Sequence, residues 1–569
     1  MTTLLGFAVK VLGRGPAREL EAAAGDPKRA QQENLARVLR QNADTVFGRE
    51  HGFSDTRGVL EYRRNVPICD FEYLRPYVEQ MANGEPKVLT AESPYVFAAT
   101  SGTTDKPKLI PVTRESGRKL NGTSRVWMRR ALEDHPAMFD HEILTLVGSA
   151  VEGHTPGGIP YGSMGGITFR NLPGLFRRRF ALPYGLMTVK SHDLRYYLAM
   201  RVALERQISF CAIPNPSTFL RLAKTGEEYA DTIIGSIRDG VLGHDRLPHL
   251  QTIGEDDAER LVELARSLRP NPDRARELEQ VLSQHGTLRP QHAWPHLRLI
   301  ACWLGGSAGI QAKLLRDYYG PVPLRDLGLR ASEAMMTIPV GNNSAAGLLT
   351  VHVNTYEFIP EEAIEAPDPP ILFADELQIG HRYYIILTTD GGLYRYDIND
   401  IVEVRDFYRR APLVAFLRKG RDMASLTGEK IHVGQIITAV ERSEHQSSFT
   451  AVQFRMIPRV EEMRYDLLVE PDAGEVPEPE LTRFLQRFDA MLGKLNGEYQ
   501  YKRHTKRLGA PRLSLMQGGW AERQQRLDVA AGKRDVQYKW QVLVDGWNES
   551  SLSDVVRQVE LGGVAVQSC

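Results

Sequence analysis

The stretch Tyr95-Val-Phe-Ala-Ala-Thr-Ser-Gly-Thr-Thr-Asp-Lys-Pro-Lys-Leu-Ile-Pro-Val112 has β-prone apolar residues at both ends, which predict two strands around a polar turn. In the turn, four hydroxyl side chains surround Gly102, and Lys106 and Lys108 follow them. Glycine can adopt a positive φ, so successive backbone N–H groups can converge on an anion. The stretch therefore predicts a loop that holds a chain of phosphates, although an ordinary polar hairpin turn has a similar composition. It is not a Walker A loop, because the Gly-x-x-x-x-Gly-Lys-Ser/Thr order is absent.

Length and composition set the class of protein. The chain has 569 residues, which is more than one ordinary core and predicts several domains or one large domain with an appendage. Its hydrophobic content of 42%, charged content of 25% and net charge of zero are those of a globular protein without a nucleic-acid or membrane-surface partner. No signal peptide is predicted, and no apolar run approaches the roughly 18 residues that span a membrane. The four cysteines have no metal-ligand spacing and favour a cytoplasmic setting; they are Cys69, Cys211, Cys302 and Cys569.

The first three-quarters of the chain alternates between strands and helices. Buried strands are predicted over 141–147, 208–213 and 297–304, with helices between and after them, and residues 220–290 have a charged, helical character. This alternation indicates an α/β architecture with a largely parallel sheet. From about residue 348 to 404 the apolar period becomes two, which indicates an antiparallel, barrel-like subdomain.

A turn within that subdomain and the domain boundary that follows it are predicted specifically enough to be compared with the structure. Tyr383–Leu387 and Leu393–Tyr396 are predicted strands around the turn Asp390-Gly391-Gly392. Beyond Lys419 the pattern changes again, to strands and helices of a small α+β domain. We therefore expect a large domain over residues 1–420 and a smaller one over residues 421–569.

Carboxylates follow several of the predicted strands. Glu333, next to Ser332, could hold Mg²⁺ through one or two contacts, or Ser332-Glu333 could simply begin a helix. Asp397 and Asp400 lie among apolar residues near a predicted strand end. A carboxylate there can accept both hydroxyls of a ribose, for which Asp400 is the better candidate, and turn acids that solvate a hairpin are the alternative.

Two further motifs each have one functional and one purely structural interpretation. Gly305-Gly-Ser-Ala-Gly309 fits the Gly-x-Ser-x-Gly elbow of a serine hydrolase, with Ser307 as nucleophile and with Asp375 and His381 downstream, or it is a glycine-rich turn. Gly420-Arg421-Asp422 could be a hinge between domains, or a charged linker. No His pair has zinc spacing.

The order of these motifs resembles the acyl-adenylate-forming superfamily, which includes firefly luciferase and acyl-CoA ligases. More closely, it resembles the plant auxin-responsive (Gretchen Hagen) acyl acid–amido synthetases, from about residue 60 to 540. The landmarks are Asn65-Val66-Pro67, Asn83-Gly84-Glu85, Thr100-Ser-Gly-Thr-Thr104 with Lys108 and Pro111, Thr155-Pro-Gly-Gly158, Gly306-Ser307-Ala308, Ser332-Glu333, Gly392-Leu-Tyr-Arg-Tyr396 with Asp400, Leu495-Asn496 with Tyr499, and Gln537-Tyr538-Lys539.

The resemblance implies roles for individual residues. Glu333 would lie by the metal, Ser332 would lie by the adenylate, and Asp400 would hold the ribose. Lys539 of the second domain would reach the adenylation site, and Lys539 and Glu333 would be the catalytic residues. Gly420, Arg421 and Asp422 would form a hinge about which a mobile C-terminal domain swings, with Arg421 also near the nucleotide. The triphosphate would be held by Thr100, Ser101, Gly102, Thr103, Thr104 and Lys108.

The chain also departs from the plant pattern. Leu329 replaces an aromatic residue of the plant string Phe-Tyr-Ala-Ser-Ser-Glu, and Tyr396-Asp-Ile-Asn-Asp400 replaces Tyr-Arg-Val-Gly-Asp. These differences suggest a non-plant member. Its acid substrate is therefore not assumed to be an auxin or a jasmonate. The acyl-pocket residues are not identified by the sequence.

The resemblance implies an ATP- and Mg²⁺-dependent ligase that converts a carboxylic acid to acyl-AMP and then transfers the acyl group to an amino acid. Three alternatives stay open from the sequence. An acyl-CoA ligase shares the first step, a serine hydrolase would use Ser307, and a non-catalytic binding protein would release no pyrophosphate. The expected partners are a small carboxylic acid and an amino acid or CoA, with no nucleic acid and no membrane.

Overall fold

The computed structural model of the protein describes residues 4–100, 108–251, 253–306, 308–364, 366–420, 423–424, 426, 429–472, 474–504, 507–531, 538–544, 546–547 and 549–561. The chain divides into two compact units. The first comprises residues 1–305 and 312–416, and the second comprises residues 306–311 and 417–569. No helix of the described ranges is both long enough and apolar enough to cross a membrane.

Helices are distributed along both units. The described α-helices are α1 (Leu4–Leu12), α2 (Arg14–Gly25), α3 (Pro27–Gln41), α4 (Val46–Glu50), α5 (Val59–Asn65), α6 (Phe71–Ala82), α7 (Arg114–Asp134), α8 (Met164–Arg170), α9 (Gly174–Arg177), α10 (Tyr184–Met187), α11 (His192–Glu205), α12 (Pro216–Glu228), α13 (Ala230–Asp239), α14 (Glu255–Ser267), α15 (Pro272–His285), α16 (Pro290–Ala293), α17 (Ala308–Tyr319), α18 (Val433–Glu444), α19 (Glu478–Leu495), α20 (Gly497–His504), α21 (Trp520–Ala530) and α22 (Glu549–Leu552). Short 3₁₀ helices cover Pro136–Phe139, His244–Arg246, Pro248–Leu250, Glu361–Ala363 and Ala374–Glu376. The helices α12–α15 confirm the helical character predicted for residues 220–290.

The strands form several sheets. They are β1 (Val96–Thr100), β2 (Lys108–Val112), β3 (Glu142–Leu144), β4 (Gly153–His154), β5 (Pro160–Gly162), β6 (Ile208–Ala212), β7 (Leu299–Cys302), β8 (Leu324–Asp326), β9 (Thr337–Pro339), β10 (Gly347–Leu349), β11 (Thr355–Pro360), β12 (Arg382–Thr388), β13 (Tyr396–Tyr408), β14 (Ala411–Lys419), β15 (Met423–Ala424), β16 (Ile431–His432), β17 (Ala451–Arg459), β18 (Arg464–Pro471), β19 (Arg512–Met516) and β20 (Val555–Glu560).

A four-stranded parallel sheet of order β3-β6-β7-β8 confirms the predicted α/β core. Strands buried on both faces are continuous apolar runs, as Leu299-Ile-Ala-Cys302 is here. The strands are shorter than predicted, because the chain turns away beyond Leu144 and Cys302. Parallel strands place their carboxyl ends at one edge, where ligands of α/β proteins usually bind.

The opening stretch of the sequence forms the antiparallel hairpin β1–β2, as predicted. Thr100 pairs with Lys108 at its open end, and Val96 pairs with Val112 at the other. The predicted phosphate loop between them, residues 101–107, lies outside the described residues. β5 pairs with β1 in parallel and with β4 antiparallel.

An antiparallel sheet of order β11-β12-β13-β14-β10-β9 follows and agrees with the period of two. The prediction of a strand over Leu393–Tyr396 is wrong for its first three residues, because β13 begins only at Tyr396. Arg395 has φ +46°, which is incompatible with an extended strand, and Leu393 and Tyr394 are fully buried in the loop.

The second unit contains the sheet β17-β18-β19-β20 with α18 and α19 beside it. Its core is formed by the apolar residues of β17 and β18, by α19 and by Trp520. It is an α+β arrangement, as predicted.

Candidate active site

Ser332 and Glu333 form the tip of a small hairpin. The backbone N–H of Ala331 donates to the carbonyl of Ala334 (2.9 Å), and Arg330 bridges to Met335. The alternative of a helix start at Ser332 is therefore wrong. Both tip residues are partly exposed.

The base of this hairpin requires glycine. Gly328 has φ +86°, and a Cβ atom at this position would lie 2.2 Å from the carbonyl oxygen of Thr337. The Thr337 hydroxyl also accepts a hydrogen bond from the N–H of Leu329 (2.8 Å). These contacts hold the two hairpin strands together close to β8.

Glu333 and Asp400 both lie within electrostatic reach of the Tyr396 hydroxyl. Burial raises the pKa of Tyr396 well above its usual range, and the negative charges of Glu333, Asp397 and Asp400 raise it further. Tyr396 itself is only 2% exposed. The structure thus brings two predicted site residues into the neighbourhood of one buried phenol, which the sequence did not indicate as a site residue.

Asp400 lies in a bulge of β13 rather than at a strand end. Asp397 pairs with Ile386 and Ile401 pairs with Tyr384, so β13 contains two extra residues at this point. A bulge re-aims side chains, and these irregularities often occur beside active sites. Asp400 is 3% exposed.

The departure from the plant motif has a structural explanation. Asn399 stands where the plant pattern has glycine, and its φ is +60°. Asparagine is among the few non-glycine residues that adopt this conformation readily. Asp397, which replaces arginine, accepts a hydrogen bond from the N–H of Asn399 (2.7 Å) and stabilises the turn.

Arg395, the central residue of Tyr-Arg-Tyr, has a structural role. Its guanidinium donates to Glu357 (Nε–Oε2 2.9 Å) and to the carbonyls of Arg63 (3.0 Å) and Val66 (2.8 Å). The landmarks Asn65-Val66-Pro67 and Gly392-Leu-Tyr-Arg-Tyr396, which are far apart in the sequence, therefore contact each other in the fold.

Another pair of landmarks also makes a contact in the fold. Gly157 donates its N–H to the carbonyl of Ala82 (2.9 Å), and a Cβ atom there would lie 2.6 Å from the N atom of Gly84. In the second unit, the Asn496 side-chain amide donates to the carbonyl of Glu429 (2.8 Å). Their recurrence in the family pattern reflects packing.

A pocket opens beside Glu333. It has a volume of about 40 Å³, enough for a few water molecules. Its walls come from β2, α7, the start of α8, the 331–335 hairpin and two loops, and they combine apolar residues with polar and charged ones. The lining residues are Ile110, Pro111, Val112, Ser116, Lys119, Leu120, Thr123, Met164, Ala331, Ser332, Glu333, Ala334, Met335, Val353, Asn354, Thr389, Asp390 and Gly391.

A buried charge cluster lies at this pocket. Asp390 accepts hydrogen bonds from Arg37 (2.5 and 3.0 Å) and from Lys119, whose ammonium also donates to Asn34 and to the carbonyl of Val353 (2.9 Å each). Burial opposes ionisation of Asp390, but the two cations outweigh it and lower its pKa. Burial also lowers the pKa of Lys119. The three charges give the cluster a net charge of +1, and all three donors of the Lys119 ammonium are used.

Several predicted site residues cannot be placed. Ser101, Gly102, Thr103, Thr104, Arg421, Asp422 and Ser307 lie outside the described residues. Thr100 ends β1 and Lys108 begins β2, so both flank the predicted phosphate loop. The Lys108 ammonium lies 5.5 Å from the centre of the Phe71 ring. Gly420 directly follows β14.

Lys539 is exposed between two buried aromatic residues of the second unit. The Tyr538 hydroxyl donates to Asp528 (2.8 Å), and the Trp540 indole donates to the carbonyl of Phe454 (2.7 Å). Arg455 stacks on the Trp540 ring at 4.2 Å. The two anchored neighbours fix the backbone from which Lys539 projects.

The site fits Mg²⁺ with phosphate better than a metal held by protein alone. Among the described residues, no three His, Cys, Asp or Glu side chains are grouped so that they could hold a metal ion. Mg²⁺ commonly binds through one or two carboxylates and completes its shell with phosphate and water. The single carboxylate of Glu333 at a partly exposed hairpin tip is compatible with that pattern.

Sequence profiles match three successive parts of the chain. The GH3 family N-terminal domain matches residues 16–324, the GH3 family central domain matches 347–419, and the GH3 family C-terminal domain matches 434–546. The chain belongs to the GH3 family. The resemblance drawn from the sequence motifs is thereby confirmed.

Individual relatives agree with the GH3 assignment. The chain is 26% identical over 447 residues to "Indole-3-acetic acid-amido synthetase GH3.15" of Arabidopsis thaliana, covering 75% of this chain and 73% of that protein.

The solved structure "AtGH3.15 acyl acid amido synthetase in complex with 2,4-DB" has a TM-score of 0.83 at 20% identity and covers 98% of both chains. A 2-hydroxyisobutyryl-CoA ligase in its postadenylation state has a TM-score of 0.53 at 14% identity, with 92% of this chain and 90% of that chain covered. These structures show the adenylate-forming fold. As a GH3 protein, the chain is an acid–amino acid ligase.

Proposed function

We propose that this GH3 protein adenylates a small carboxylic acid with Mg²⁺-ATP, releases pyrophosphate, and transfers the acyl group to the amine of an amino acid. The observation that supports this most directly is that the charges of Glu333 and Asp400 both act on the buried Tyr396 side chain. In this proposal, Glu333 binds a metal–phosphate complex and Asp400 binds the ribose.

The chemistry explains why such groups are needed. A carboxylate is a poor electrophile, whereas its mixed anhydride with AMP has a good leaving group. When bound by Glu333 and phosphate oxygens, Mg²⁺ would supply charge neutralisation for the triphosphate. Residues 100–104 with Lys108 hold the triphosphate in this proposal, Ser332 contacts the adenylate, and Asp400 accepts the ribose hydroxyls.

The acyl group of the substrate occupies the pocket beside Glu333 in this proposal, against its apolar residues. The pocket is continuous with the Ser332-Glu333 tip, so a bound acid would have its carboxylate near the proposed phosphate position. Its small volume requires the walls to move apart for an aryl or indolyl acid, whereas a short aliphatic acid needs less movement.

The second unit takes part through Lys539 and the segment Gly420-Arg421-Asp422 in this proposal. Lys539 stabilises charge during adenylation, Arg421 lies near the nucleotide, and the segment acts as a hinge between residues 1–420 and 421–569. The support is the match of these residues to the family pattern and the anchoring of Lys539 by its neighbours. We place the reaction in the cytoplasm; the described cysteines, Cys69, Cys211 and Cys302, are buried and form no disulfide.

Pyrophosphate release tests the proposal. The protein is mixed with Mg²⁺-ATP and a panel of aryl, indolyl and aliphatic acids, each with and without amino acids or CoA. We expect release with at least one acid, faster turnover with an amino acid, and no such effect of CoA. Faster turnover with CoA alone would make the protein an acyl-CoA ligase.

A Glu333→Gln variant serves as the matched control for that panel, because it removes one charge and keeps the shape. It should lose pyrophosphate release and retain its fold. A panel with no release and no ATP binding by calorimetry would refute the proposal. Activity that needs no ATP and is lost in Ser307→Ala would indicate a hydrolase.

A further inference from the structure

Asp326, the last residue of β8, joins the ends of two parallel strands. One carboxylate oxygen accepts the N–H of Leu304, after β7, and the other accepts the N–H of Gly328, each at 2.6 Å. The residue is 4% exposed. Short bonds from N–H groups to a buried carboxylate are charge-assisted and strong.

One of the two anchored backbone positions leads to the hairpin of the proposed site, and the other leads to a family landmark of the sequence. Leu304 precedes the glycine-rich segment Gly305-Gly306. Gly328 is the base of the hairpin that carries Ser332 and Glu333 at its tip. Asp326 therefore fixes the spacing between Leu304 and Gly328 at the carboxyl edge of the sheet.

Among the residues that the structure describes, no cation pairs with the Asp326 carboxylate. From β7 it faces the Cys302 thiol, whose pKa is raised well above its usual range by burial and by Asp326. From α7 the Trp127 indole donates to the Asp326 carbonyl (2.9 Å), and the adjacent Arg325 pairs instead with Asp134 (2.6 Å). Burial raises the pKa of the Asp326 carboxyl to about 7, although its two N–H donors oppose the increase.

We propose that the ionised carboxylate of Asp326 is a positioning residue for acyl-adenylate formation, and that its protonation loosens the glycine-rich segment and the Ser332-Glu333 hairpin together. A protonated carboxyl carries an O–H on one oxygen, which turns one of the two acceptors into a donor that faces an N–H group. The inference rests on the proposed function, since it assigns a regulation to that same site.

Activity and stability respond to this proton in opposite directions. Adenylation should fall as the pH decreases through about 7, because the carboxylate is lost. The folded-state pKa is above the unfolded value, so the contribution of Asp326 to stability is fully present below the unfolded pKa and is lost as the pH rises through about 7. A carboxylate with a merely structural role would not separate the two responses.

The test compares Asp326→Asn with Asp257→Asn. Asp257, in α14, is also buried and also accepts backbone N–H groups, from Lys190 (3.0 Å) and Ser191 (3.2 Å), and it is paired in addition with Arg260 (2.9 Å). At pH 8 we expect the kcat of ATP–pyrophosphate exchange to be at least tenfold lower for Asp326→Asn than for the wild-type protein. The fall in rate that the wild-type protein shows as the pH decreases through about 7 should be absent from this variant. Asp257→Asn should keep the wild-type rate and the decline. A wild-type rate or a wild-type decline in Asp326→Asn would overturn the proposal.

A second measurement is independent of any substrate. In wild-type protein labelled with ¹⁵N at leucine and glycine, the amide signals of Leu304 and Gly328 should titrate together with a midpoint near pH 7. If these amides titrate while no acid in the panel is adenylated, the carboxylate contact stands and the proposed function fails. If they do not titrate, the inference about Asp326 is overturned, whether or not the protein is active and whether or not Asp326→Asn folds.

Discussion

The guanidinium of Arg395 and the carboxylate of Glu357 form a buried ion pair (Nε–Oε2 2.9 Å) in which each side chain is only 4% exposed. Arg63 donates to the other oxygen of Glu357 (2.7 Å). Arg395 thus lies in one of the family landmarks of the sequence, and yet its guanidinium contacts groups that hold the fold together. Its backbone, at φ +46°, also sets the loop that leads into β13.

We expect Arg395→Met to lower the free energy of unfolding by about 3–5 kcal/mol, because it leaves the Glu357 charge buried with one partner fewer. Arg382→Met is the control in the same sheet, since Arg382 is 52% exposed and its nearest carboxylate oxygens are at 3.8 and 3.9 Å. That variant should change stability by less than about 1 kcal/mol. Chemical denaturation of both variants measures the difference, and equal losses would contradict the structural role.

The sequence predicted the parallel core, the β1–β2 hairpin and the small α+β unit because each has a continuous apolar pattern. It failed at Leu393–Arg395, where β-prone residues are buried in a loop whose shape depends on Arg395 contacts with distant residues. It also missed Tyr396 as a site residue. Its proximity to Glu333 arises from the packing of two segments about sixty residues apart, which no local pattern encodes.

The ribose role of Asp400 is testable with modified nucleotides. A carboxylate that accepts ribose hydroxyls contributes about 1.5–3 kcal/mol, so Asp400→Asn should lower kcat/KM for ATP roughly 10- to 150-fold. The same variant should have little effect with 2′,3′-dideoxy-ATP, because that nucleotide lacks both hydroxyls. Asp406→Asn, at an exposed position of the same strand, is the control and should leave both substrates unaffected. Equal losses with ATP and the dideoxy nucleotide would mean that Asp400 does not contact the ribose.

The positive φ of Asn399 predicts an unusual order of tolerance to substitution. Asn399→Gly should preserve stability and activity, since glycine adopts φ +60° without strain. Asn399→Val should lower the free energy of unfolding by about 1–2 kcal/mol, because Cβ branching clashes with the backbone in this conformation. Thermal unfolding of the two variants decides the matter, and a valine variant as stable as the glycine variant would argue against the bulge geometry at Asp400.

Lys539 is expected to act in one half-reaction only. If it stabilises charge while the acid attacks ATP, Lys539→Met should slow ATP–pyrophosphate exchange by about 10²–10³-fold. The same variant should still convert chemically prepared acyl-AMP and an amino acid to the amide at nearly the wild-type rate, because that step does not need the triphosphate. Lys494→Met, an exposed lysine in the last turn of α19, should change neither step. Equal slowing of both steps by Lys539→Met would instead show that Lys539 supports the fold of the second unit, through the segment that Tyr538 and Trp540 anchor.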